Sequence, residues 1–565
     1  MVNIGPLLSR PSRHVRRTAA TAVPAAVMLL LGLWGVDRGG MWRDEAVTFQ
    51  VARRTVPQIW RLLHEVDAVH GLYYLVMHAV LAVGPGEVVL RLPSVCAAAL
   101  TAGLVGALGT RLARPRVGLW AGLLYALTPM AGHYAQEGRS YALVAAGAAG
   151  ATLLLVRAVA EGGGRSWWAY GAVLGLTCLL HELAVLLLLA HAVTLALTRV
   201  PARVWRGWAG AAGAVGLALL PMVAVSHGQS AQLAWVRSPD WGSAGNLLRA
   251  FVGPAPGVYW PCLALAVAGL TGLIGSGGSA EPGGPGGLGG LGGRGVPGGG
   301  RGRPTCAAVA APLAVLPPAI LMLVSQEAPL YVDRYVLYAL AGAPLLVAAG
   351  ADRVLTALAH RRPSPEQPRP AGRARRAEHV GRAARPMAPG ALVLGTVLAV
   401  GAVFVQQLPL LRADRSVGHR PDNLAAVSSV AARELRPGDP VLFLPSHARA
   451  TALAYPGAFH GTRDVALAAR APASGTLYGT EVDPEVLRRR LAGLDRVWVV
   501  AERHAVLPPG PRDPGERLKL DVVNEEFALS EQSARDRVLV RLYVRRALVT
   551  DDPLLPAGPP RPAPS

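Results

Sequence analysis

The stretch VVLRLPSVCAAALTAGLVGALGT, residues 88–110, is followed at once by the basic segment RLARPR, residues 111–116. The first segment is long enough to cross a bilayer, because about 20 apolar residues span a hydrocarbon core about 30 Å thick. Arginines cluster in the cytoplasmic loops of membrane proteins. We therefore predict that 88–110 crosses the membrane towards the cytoplasm, and this assignment sets the direction of every other span.

The composition predicts a polytopic membrane protein. The chain has 565 residues, of which 52% are hydrophobic, and its mean hydropathy is +0.34. The net charge of +21 comes from arginine, since Lys519 is the single lysine. Most arginines lie in short loops between apolar runs, which is the cytoplasmic charge bias of membrane proteins. The expected partners are therefore membrane lipids, and no nucleic acid is expected. No metal-ligand spacing is found among the cysteines, Cys96, Cys178, Cys262 and Cys306.

The parity of the crossings defines a large outer loop. The basic N-terminus 1–17 is predicted to be cytoplasmic, and the first span 18–36 to cross outwards without cleavage. Because 88–110 returns to the cytoplasm, residues 37–87 form an outer loop. The apolar stretch 71–84 within this loop is too short to cross, so we expect it to lie along the membrane surface.

The remaining apolar runs bring the predicted number of spans to eleven, all within a transmembrane domain at 18–408. Two cytoplasmic loops are expected to lack a packed core: the flexible, glycine-rich 276–304 and the basic, disordered 352–388. The further spans are predicted at 117–133, 141–158, 167–180, 183–198, 207–226, 255–275, 305–325, 335–350 and 389–408.

After the last span the pattern changes to alternating helices and strands. Residues 422–446 indicate a helix, a turn and a short strand, and residues 483–502 repeat that order. The segment DRVLVRLYVRR, residues 536–546, indicates a final strand. We predict a small extracytoplasmic α/β domain at 409–548, because an odd number of spans leaves this part outside, followed by a proline-rich tail at 549–565.

The predicted outer loops carry most of the charged residues close to the membrane. Charges there are costly and therefore become candidates for function. A carboxylate can act as a general base on a hydroxyl, and arginines can hold phosphate oxygens through paired hydrogen bonds. Topology gathers these groups on one side of the membrane, although they are far apart in sequence. The set comprises Arg43, Asp44, Glu45, Asp67, His70, Glu137, Arg139, Asp333 and Arg334.

This chemistry suits an enzyme that uses a sugar linked to a polyprenyl phosphate. A base would activate the acceptor, and cations would stabilise the departing phosphate. Purely structural roles for these residues stay open as alternatives to catalysis. The charged cluster at Asp44 could be a solvated membrane edge, Arg139 and Arg334 could anchor the interface by snorkelling, and His70 could be a packing residue.

Five segments resemble bacterial membrane glycosyltransferases of the GT-C superfamily. The resemblance is to the family 39-like branch, which is related to protein O-mannosyltransferases and aminoarabinose transferases. It covers about residues 18–410, and the acidic pair together with YAQEGRSYAL is its most specific part. The segments are WRDEA (42–46), DAVHGLYYLVMH (67–78), LRLPS (90–94), YAQEGRSYAL (134–143) and YVDRYVLYAL (331–340).

The resemblance implies a GT-C fold with interfacial helices in the first outer loop, and an inverting transfer from a polyprenyl-phosphate sugar. Mannose is the sugar that it suggests. It implies that Asp44 is the catalytic base and that Arg334 contacts the lipid phosphate. Glu45, the second member of the acidic pair, is predicted to be catalytic together with Asp44. A proline that follows Asp67 in relatives is missing here. The predicted substrate-binding residues are Arg43, Asp67, His70, Glu137, Arg139 and Arg334.

Several points stay open at the level of sequence. No cofactor is predicted with certainty, although a divalent metal serves some distant relatives. The acceptor hydroxyl could belong to a protein, a lipid or a glycan at the outer face of the cell membrane. Two other functions fit a polytopic chain: a lipid or saccharide transporter, which would need charges near the bilayer midplane and internal repeats, and a non-catalytic cell-envelope scaffold.

Overall fold

The computed structural model describes residues 12–273, 302–360, 389–416, 422–535 and 537–550. Several predicted segments lie wholly or largely outside the described residues. These segments are the N-terminus 1–17, the glycine-rich loop 276–304, most of the basic loop 352–388 and the tail 549–565.

The first part of the chain is a bundle of helices. Among the described residues, eight helices are long and apolar enough to cross a membrane. The long and short α-helices of this part are, in chain order, α1 (Arg13–Leu33), α2 (Arg43–Ala52), α3 (Val56–Glu65), α4 (Gly71–Leu81), α5 (Glu87–Leu112), α6 (Pro115–Leu127), α7 (Pro129–Ala135), α8 (Tyr141–Glu161), α9 (Gly164–Leu180), α10 (Leu187–Thr198), α11 (Ala202–Gly228), α12 (Trp241–Val252), α13 (Pro256–Leu270), α14 (Cys306–Val324), α15 (Gly342–His360) and α16 (Pro389–Asp414).

Three of the eleven predicted spans are not formed by any of the eight long apolar helices. The predicted span 117–133 is wrong in its last part, because Pro129 cannot continue α6 and instead begins α7 after a break at Thr128. Helix α9 contains the predicted span 167–180 and extends it to 17 residues, but it is still too short to be among the eight. The next predicted span begins as a 3₁₀-helix at Glu182–Leu186 before α10 follows.

The predicted disordered loop 352–388 is wrong at its start. Helix α15 continues to His360, and the carboxylate of Asp352 is buried and paired with two arginines. The Nη2 atom of Arg114 lies 2.8 Å from Asp352 Oδ2, and Arg116 pairs with the other oxygen. These ion pairs hold a polar turn of helix that the sequence pattern assigned to the loop.

Helix α5 lies at the centre of the bundle and packs against α1, α6 and α8. Small residues allow the backbones to approach closely. A Cβ at Gly106 would collide with the carbonyl oxygen of Ala20 on α1, and one at Gly118 with the carbonyl oxygen of Gly106. The loop helices α2, α3 and α4 follow α1 and precede α5 in the chain, and their buried side chains include Phe49, Tyr73 and Met77.

A five-stranded sheet with flanking helices follows the bundle. The strand order is β2-β1-β5-β7-β6; β1 is parallel to β2 and β5, and β7 is antiparallel to β5 and β6. The strands are β1 (Pro440–Leu444), β2 (Arg463–Asp464), β3 (Leu467–Ala469), β4 (Thr480–Glu481), β5 (Arg496–Glu502), β6 (Phe527–Arg535) and β7 (Val538–Arg545). The helices are α17 (Leu424–Glu434), α18 (Ala450–Ala454), α19 (Ala471–Ser474), α20 (Pro484–Ala492), α21 (Arg503–Val506), α22 (Pro514–Glu526) and α23 (Arg546–Thr550).

The predicted α/β domain is therefore confirmed as a fold element. The two predicted helix–strand pairs are α17–β1 and α20–β5, and the predicted final strand is β7. The short pair β3–β4 and the strand β6 were not predicted. Strand β6 is mostly exposed, with the burial of Phe527 at its start as an exception, so its sequence lacks the apolar signal of a buried strand.

The α/β domain packs directly on the loop helix α2. The backbone N–H of Met41 donates to the Tyr455 hydroxyl at 2.8 Å, and the N–H of Leu424 donates to the Met41 carbonyl at 3.3 Å. The side-chain amide of Gln50 donates to the Leu477 carbonyl at 2.8 Å. Contacts at both ends of α2 thus position this domain over the first outer loop.

We expect Gly350→Ala to destabilise the bundle. Helices α13 and α15 cross at Gly269 and Gly350, where an added Cβ on Gly350 would collide with the Leu265 carbonyl oxygen. Overpacking of this kind costs about 1–3 kcal/mol. The measurement is the thermal unfolding temperature in detergent. Gly213→Ala on α11 is the control, since nothing lies within 4 Å of its added Cβ, and equal unfolding temperatures for the two variants would contradict the close crossing.

Candidate active site

A cavity of about 690 Å³ lies between the helical bundle and the α/β domain. Each predicted outer loop contributes to its wall, as do residues of the α/β domain. Arg43 and Asp67 come from the first outer loop, Arg139 from the second and Arg334 from the last. The structure thus confirms that these loops meet at one end of the bundle, as the parity of the spans predicted.

Asp44 lies in the first turn of α2 and faces the cavity. Its Oδ2 atom is 3.4 Å from Nη2 of Arg334, and the two side chains are 26% and 18% exposed. The helix N-terminus adds a favourable field for a negative charge at this position. Asp44 is therefore an accessible carboxylate held beside a cation.

Arg334 is surrounded by aromatic rings. Its guanidinium carbon lies 5.6 to 5.8 Å from the ring centres of Trp42, Tyr141, Trp235 and Tyr335. Such contacts hold a cation without using its hydrogen-bond donors. Its buried Nε atom has no hydrogen-bond partner among the described residues. Arg334 is therefore a cation fixed on the cavity wall, with one donor left unpaired within the described part of the chain.

Arg139 is buried on the same cavity wall. Its Nη1 atom donates to the Asp44 carbonyl at 3.4 Å and to the Thr48 hydroxyl at 3.3 Å. Its Nη2 atom lies 2.7 Å from Nε2 of His70, which must accept because arginine only donates. Burial and the cations of Arg139 and Arg334 hold the pKa of His70 well below its usual value. His70 is thus a neutral partner that orients Arg139.

Asp67 supplies a second carboxylate to the cavity. Its backbone has φ of 60°, in the left-handed region, where it turns the chain into the 3₁₀-helix Ala68–His70. The Tyr74 hydroxyl donates to Oδ2 of Asp67 at 2.7 Å. Burial raises the pKa of Asp67, although Arg139 and the Tyr74 hydrogen bond oppose this shift.

Glu45 points away from the cavity, although it is adjacent to Asp44. Its two oxygens accept from Nε and Nη2 of Arg91 at 2.8 and 2.9 Å, and both side chains are completely buried. Glu45 also accepts from the backbone N–H of Gly138 at 2.9 Å. This geometry favours a positioning role for Glu45 over the catalytic role that the sequence suggested.

Glu137 also lies off the cavity wall. Its Oε1 atom is 3.2 Å from Nε2 of His133, whose Nδ1 atom is 2.6 Å from Asp414 at the end of α16. Burial lowers the pKa of His133, but hydrogen bonds to Asp414 and Glu137 outweigh it and raise the pKa to about 10. Glu137 therefore helps to hold α16 against the bundle, which differs from the substrate contact predicted for it.

The α/β domain contributes residues that the sequence did not single out. Asp422, His447, Tyr478 and Arg537 line the cavity. Their positions in sequence carry no signal, because they become part of the site only when the domain packs on α2. The turn at His181 and Glu182 lines the cavity too.

Among the described residues, no group of three or more histidine, cysteine, aspartate or glutamate side chains is arranged to hold a metal ion. One carboxylate in the cavity and one just behind its wall face arginines instead. Asp44 is next to Arg334, and Arg43 lies 3.6 Å from Glu502. The arrangement can bind an anion and place it beside a carboxylate.

Comparison with known proteins identifies this architecture. Residues 71–226 match the family model described as dolichyl-phosphate-mannose-protein mannosyltransferase. The structure of ArnT from Cupriavidus metallidurans in the apo state is similar over 93% of this chain and 98% of its own, at 15% identity and a TM-score of 0.56. The structure of the same ArnT bound to undecaprenyl phosphate gives the same coverages, at 14% identity and a TM-score of 0.54.

No curated protein sequence matches the chain. The fold is nevertheless that of ArnT along nearly its whole length, and the family model covers α4 to α11. The predictions of a GT-C fold, of a multi-pass membrane protein and of a resemblance to membrane glycosyltransferases of the GT-C superfamily are confirmed.

We expect Glu45→Gln to lower stability strongly. The variant removes the closer carboxylate partner of the buried Arg91 and leaves, among the described residues, only Glu87, at 3.9 Å. Removing one partner of a buried ion pair costs about 3–5 kcal/mol. Thermal unfolding in detergent measures the effect. Glu161→Gln is the control, because Glu161 pairs with Arg157 at 3.6 Å where both side chains are about half exposed, and such pairs contribute about 0–1 kcal/mol. A Glu45→Gln protein as stable as the control would contradict the positioning role.

We expect Asp67→Asn to raise stability near neutral pH. A carboxyl whose pKa is raised by folding binds its proton more tightly in the folded state, so stability falls as pH rises through the raised pKa. The amide of asparagine does not titrate. The difference in unfolding temperature between the variant and the wild type should therefore grow as pH rises from the ordinary pKa of 3.8. A difference that shrinks with rising pH would refute the assignment.

Proposed function

We propose that the chain is a membrane glycosyltransferase that moves a sugar from a polyprenyl-phosphate donor to an acceptor hydroxyl, with inversion at the anomeric carbon. One observation carries this proposal. The cavity places the accessible carboxylate of Asp44 within 3.4 Å of Arg334, a cation with an unused donor. A base and a phosphate-binding cation are the two groups that this reaction needs in contact.

Asp44 acts as the general base in this proposal. Its carboxylate takes the proton of the acceptor hydroxyl, and the acceptor oxygen forms a bond to the anomeric carbon. The bond between that carbon and the phosphate oxygen breaks on the opposite face. Its electron pair leaves with the polyprenyl phosphate, and one new glycosidic bond replaces one phosphate ester bond.

Arg139 and Arg334 stabilise the departing phosphate. Their guanidinium groups match phosphate oxygens in geometry and charge, and each has a buried Nε without a partner among the described residues. The aromatic rings around Arg334 and the imidazole of His70 beside Arg139 fix these cations before the donor arrives, so little reorganisation is needed in the transition state.

The comparisons support the class of donor. The ArnT structure holds undecaprenyl phosphate, and the matched family model is described by dolichyl-phosphate-mannose. Both lipids are polyprenyl phosphates, so we assign that class to the donor here. Mannose is the sugar that we would test first. The proposed location is the outer face of the cell membrane, since the arginine-rich loops lie at the other ends of the spans.

Asp67 and Arg43 are assigned to substrate binding within the same cavity. Asp67 carries a carboxyl whose pKa is raised by burial, which suits a hydrogen bond to a sugar hydroxyl. Arg43 is 40% exposed and lines the wall that meets the α/β domain. Neither residue is needed for the proton transfer proposed for Asp44.

We expect Asp44→Asn to reduce turnover by about 10²- to 10⁴-fold, because the amide cannot accept the proton. Purified protein in detergent would be given radiolabelled sugars on undecaprenyl phosphate, with membranes of a deletion strain as the source of acceptor. Release of undecaprenyl phosphate and transfer of label are both measured.

Asp240→Asn provides the matched control. Asp240 is an exposed cap of α12 whose side chain accepts from Ser243, and asparagine serves equally well as a cap. This variant should retain wild-type turnover. Turnover by Asp44→Asn within a few-fold of the control, at equal protein concentration, would overturn the proposed function.

A further inference from the structure

The sheet of the α/β domain has a topological switch point that faces the cavity. The chain leaves β1 towards β2 on one side and later returns to β5 on the other side, so β1 and β5 are parallel neighbours. In open α/β sheets, ligands bind at the carboxyl ends of the strands where the connections diverge in this way. The carboxyl ends of β1 and β5 are therefore a candidate binding crevice in their own right.

Two titratable residues occupy this position. Glu502 is the last residue of β5, and His447 follows β1 within the 3₁₀-helix Ser446–Arg449. The Nε2 atom of His447 lies 2.6 Å from Oε1 of Glu502. The imidazole lines the cavity, whereas Glu502 is not part of the wall. Glu502 therefore contacts His447 from outside the cavity wall and orients the imidazole.

This contact determines what His447 offers to the cavity. When the imidazole is neutral, Nε2 carries the proton and donates to the carboxylate, which leaves Nδ1 as a hydrogen-bond acceptor. A hydrogen-bond acceptor fixed by a carboxylate suits a hydroxyl of a bound molecule. The Tyr478 ring is 6.2 Å from the His447 ring and lines the same wall.

The charges on this wall are mixed. Asp422 supplies acceptors, and Arg537 supplies donors. A wall with donors, acceptors and an aromatic ring fits a molecule with several hydroxyls and an apolar ring face. The bundle wall, by contrast, has the arginines that suit phosphate. The cavity therefore has two chemically different sides.

We propose that His447, held by Glu502, forms a subsite for a saccharide acceptor, in which Nδ1 of His447 accepts a hydrogen bond from an acceptor hydroxyl. This inference rests on the proposed function and identifies the class of its acceptor. His447 is a specificity-determining residue, and Glu502 is a positioning residue that acts through it. Donor binding stays with Arg139 and Arg334.

The test separates transfer to the acceptor from loss of the sugar to water. Full-length protein receives a panel of undecaprenyl phosphates carrying radiolabelled hexoses or pentoses. The acceptor is a delipidated glycan fraction or a glycolipid fraction from a deletion strain. For each variant, the amount of acceptor that gives half-maximal transfer, the half-saturating donor concentration and the rate of sugar release to water are measured.

We expect His447→Ala to raise the amount of acceptor for half-maximal transfer about tenfold or more. The half-saturating donor concentration and the release to water should change less than twofold, which also shows that the variant is folded. Glu502→Gln should shift the acceptor requirement in the same direction but less. His447→Asn should need less acceptor than His447→Ala for half-maximal transfer, since the asparagine amide oxygen can accept a hydrogen bond.

His504→Ala is the matched control. His504 also lies near Glu502, at 3.2 Å, but it is 67% exposed and is not part of the cavity wall. This variant should behave as the wild type. Equal changes in the donor and acceptor requirements of His447→Ala, or no change in either, would overturn the acceptor subsite but not the proposed function.

Label recovered in protein instead of glycan or glycolipid would overturn the saccharide assignment. Wild-type protein that consumes none of the donors would overturn the proposed function and this inference with it. A third outcome separates the two proposals. If donor consumption depends on Asp44 but the acceptor requirement does not change in His447→Ala, the proposed function stands and only the subsite is refuted.

Discussion

A buried ion pair between Glu45 and Arg91 holds the rest of the site in place. Neither side chain reaches solvent, and each is the closest charged partner of the other, so the loss of either would leave the remaining charge poorly compensated. Arg91 belongs to the central helix α5, Glu45 to the first turn of α2, and Gly138, which also donates to Glu45, precedes Arg139. One carboxylate thus connects the segments that carry Asp44 and Arg139 to the core of the bundle.

The sequence could predict the grouping of polar loops but not the direction of each side chain. Span direction follows from arginines in short loops, which is a local property of each segment, and Asp44, Arg139 and Arg334 were placed together on that basis. Asp44 and Glu45 are neighbours in one helical turn, so the rotation of α2 against α5 decides which one meets the cavity. Glu137 is directed elsewhere by His133, a contact between residues one turn apart that no pattern distinguishes.

The α/β domain likewise has features that the sequence predicts and features that only the tertiary structure reveals. Its buried strands β1 and β5 have apolar runs that any local pattern can identify, whereas exposed β6 has none. Helix α15 continues past its predicted end because Asp352 pairs with two arginines at the start of α6. The contribution of His447, Tyr478 and Arg537 depends on how the domain packs against Met41 and Gln50 of the loop. Contacts between distant segments carry no periodicity, so these features needed the tertiary structure.

The division of the cavity wall between two domains has an evolutionary consequence. In the proposed assignment, the bundle selects the lipid-linked sugar and the α/β domain selects what receives it. The α/β domain meets the bundle at the first outer loop, through hydrogen bonds and an apolar cluster that includes Leu424, Ala450 and Ala454. Relatives could therefore exchange or remodel this domain and acquire new acceptors without disturbing the donor chemistry, so that a single catalytic bundle could serve many different cell-surface polymers.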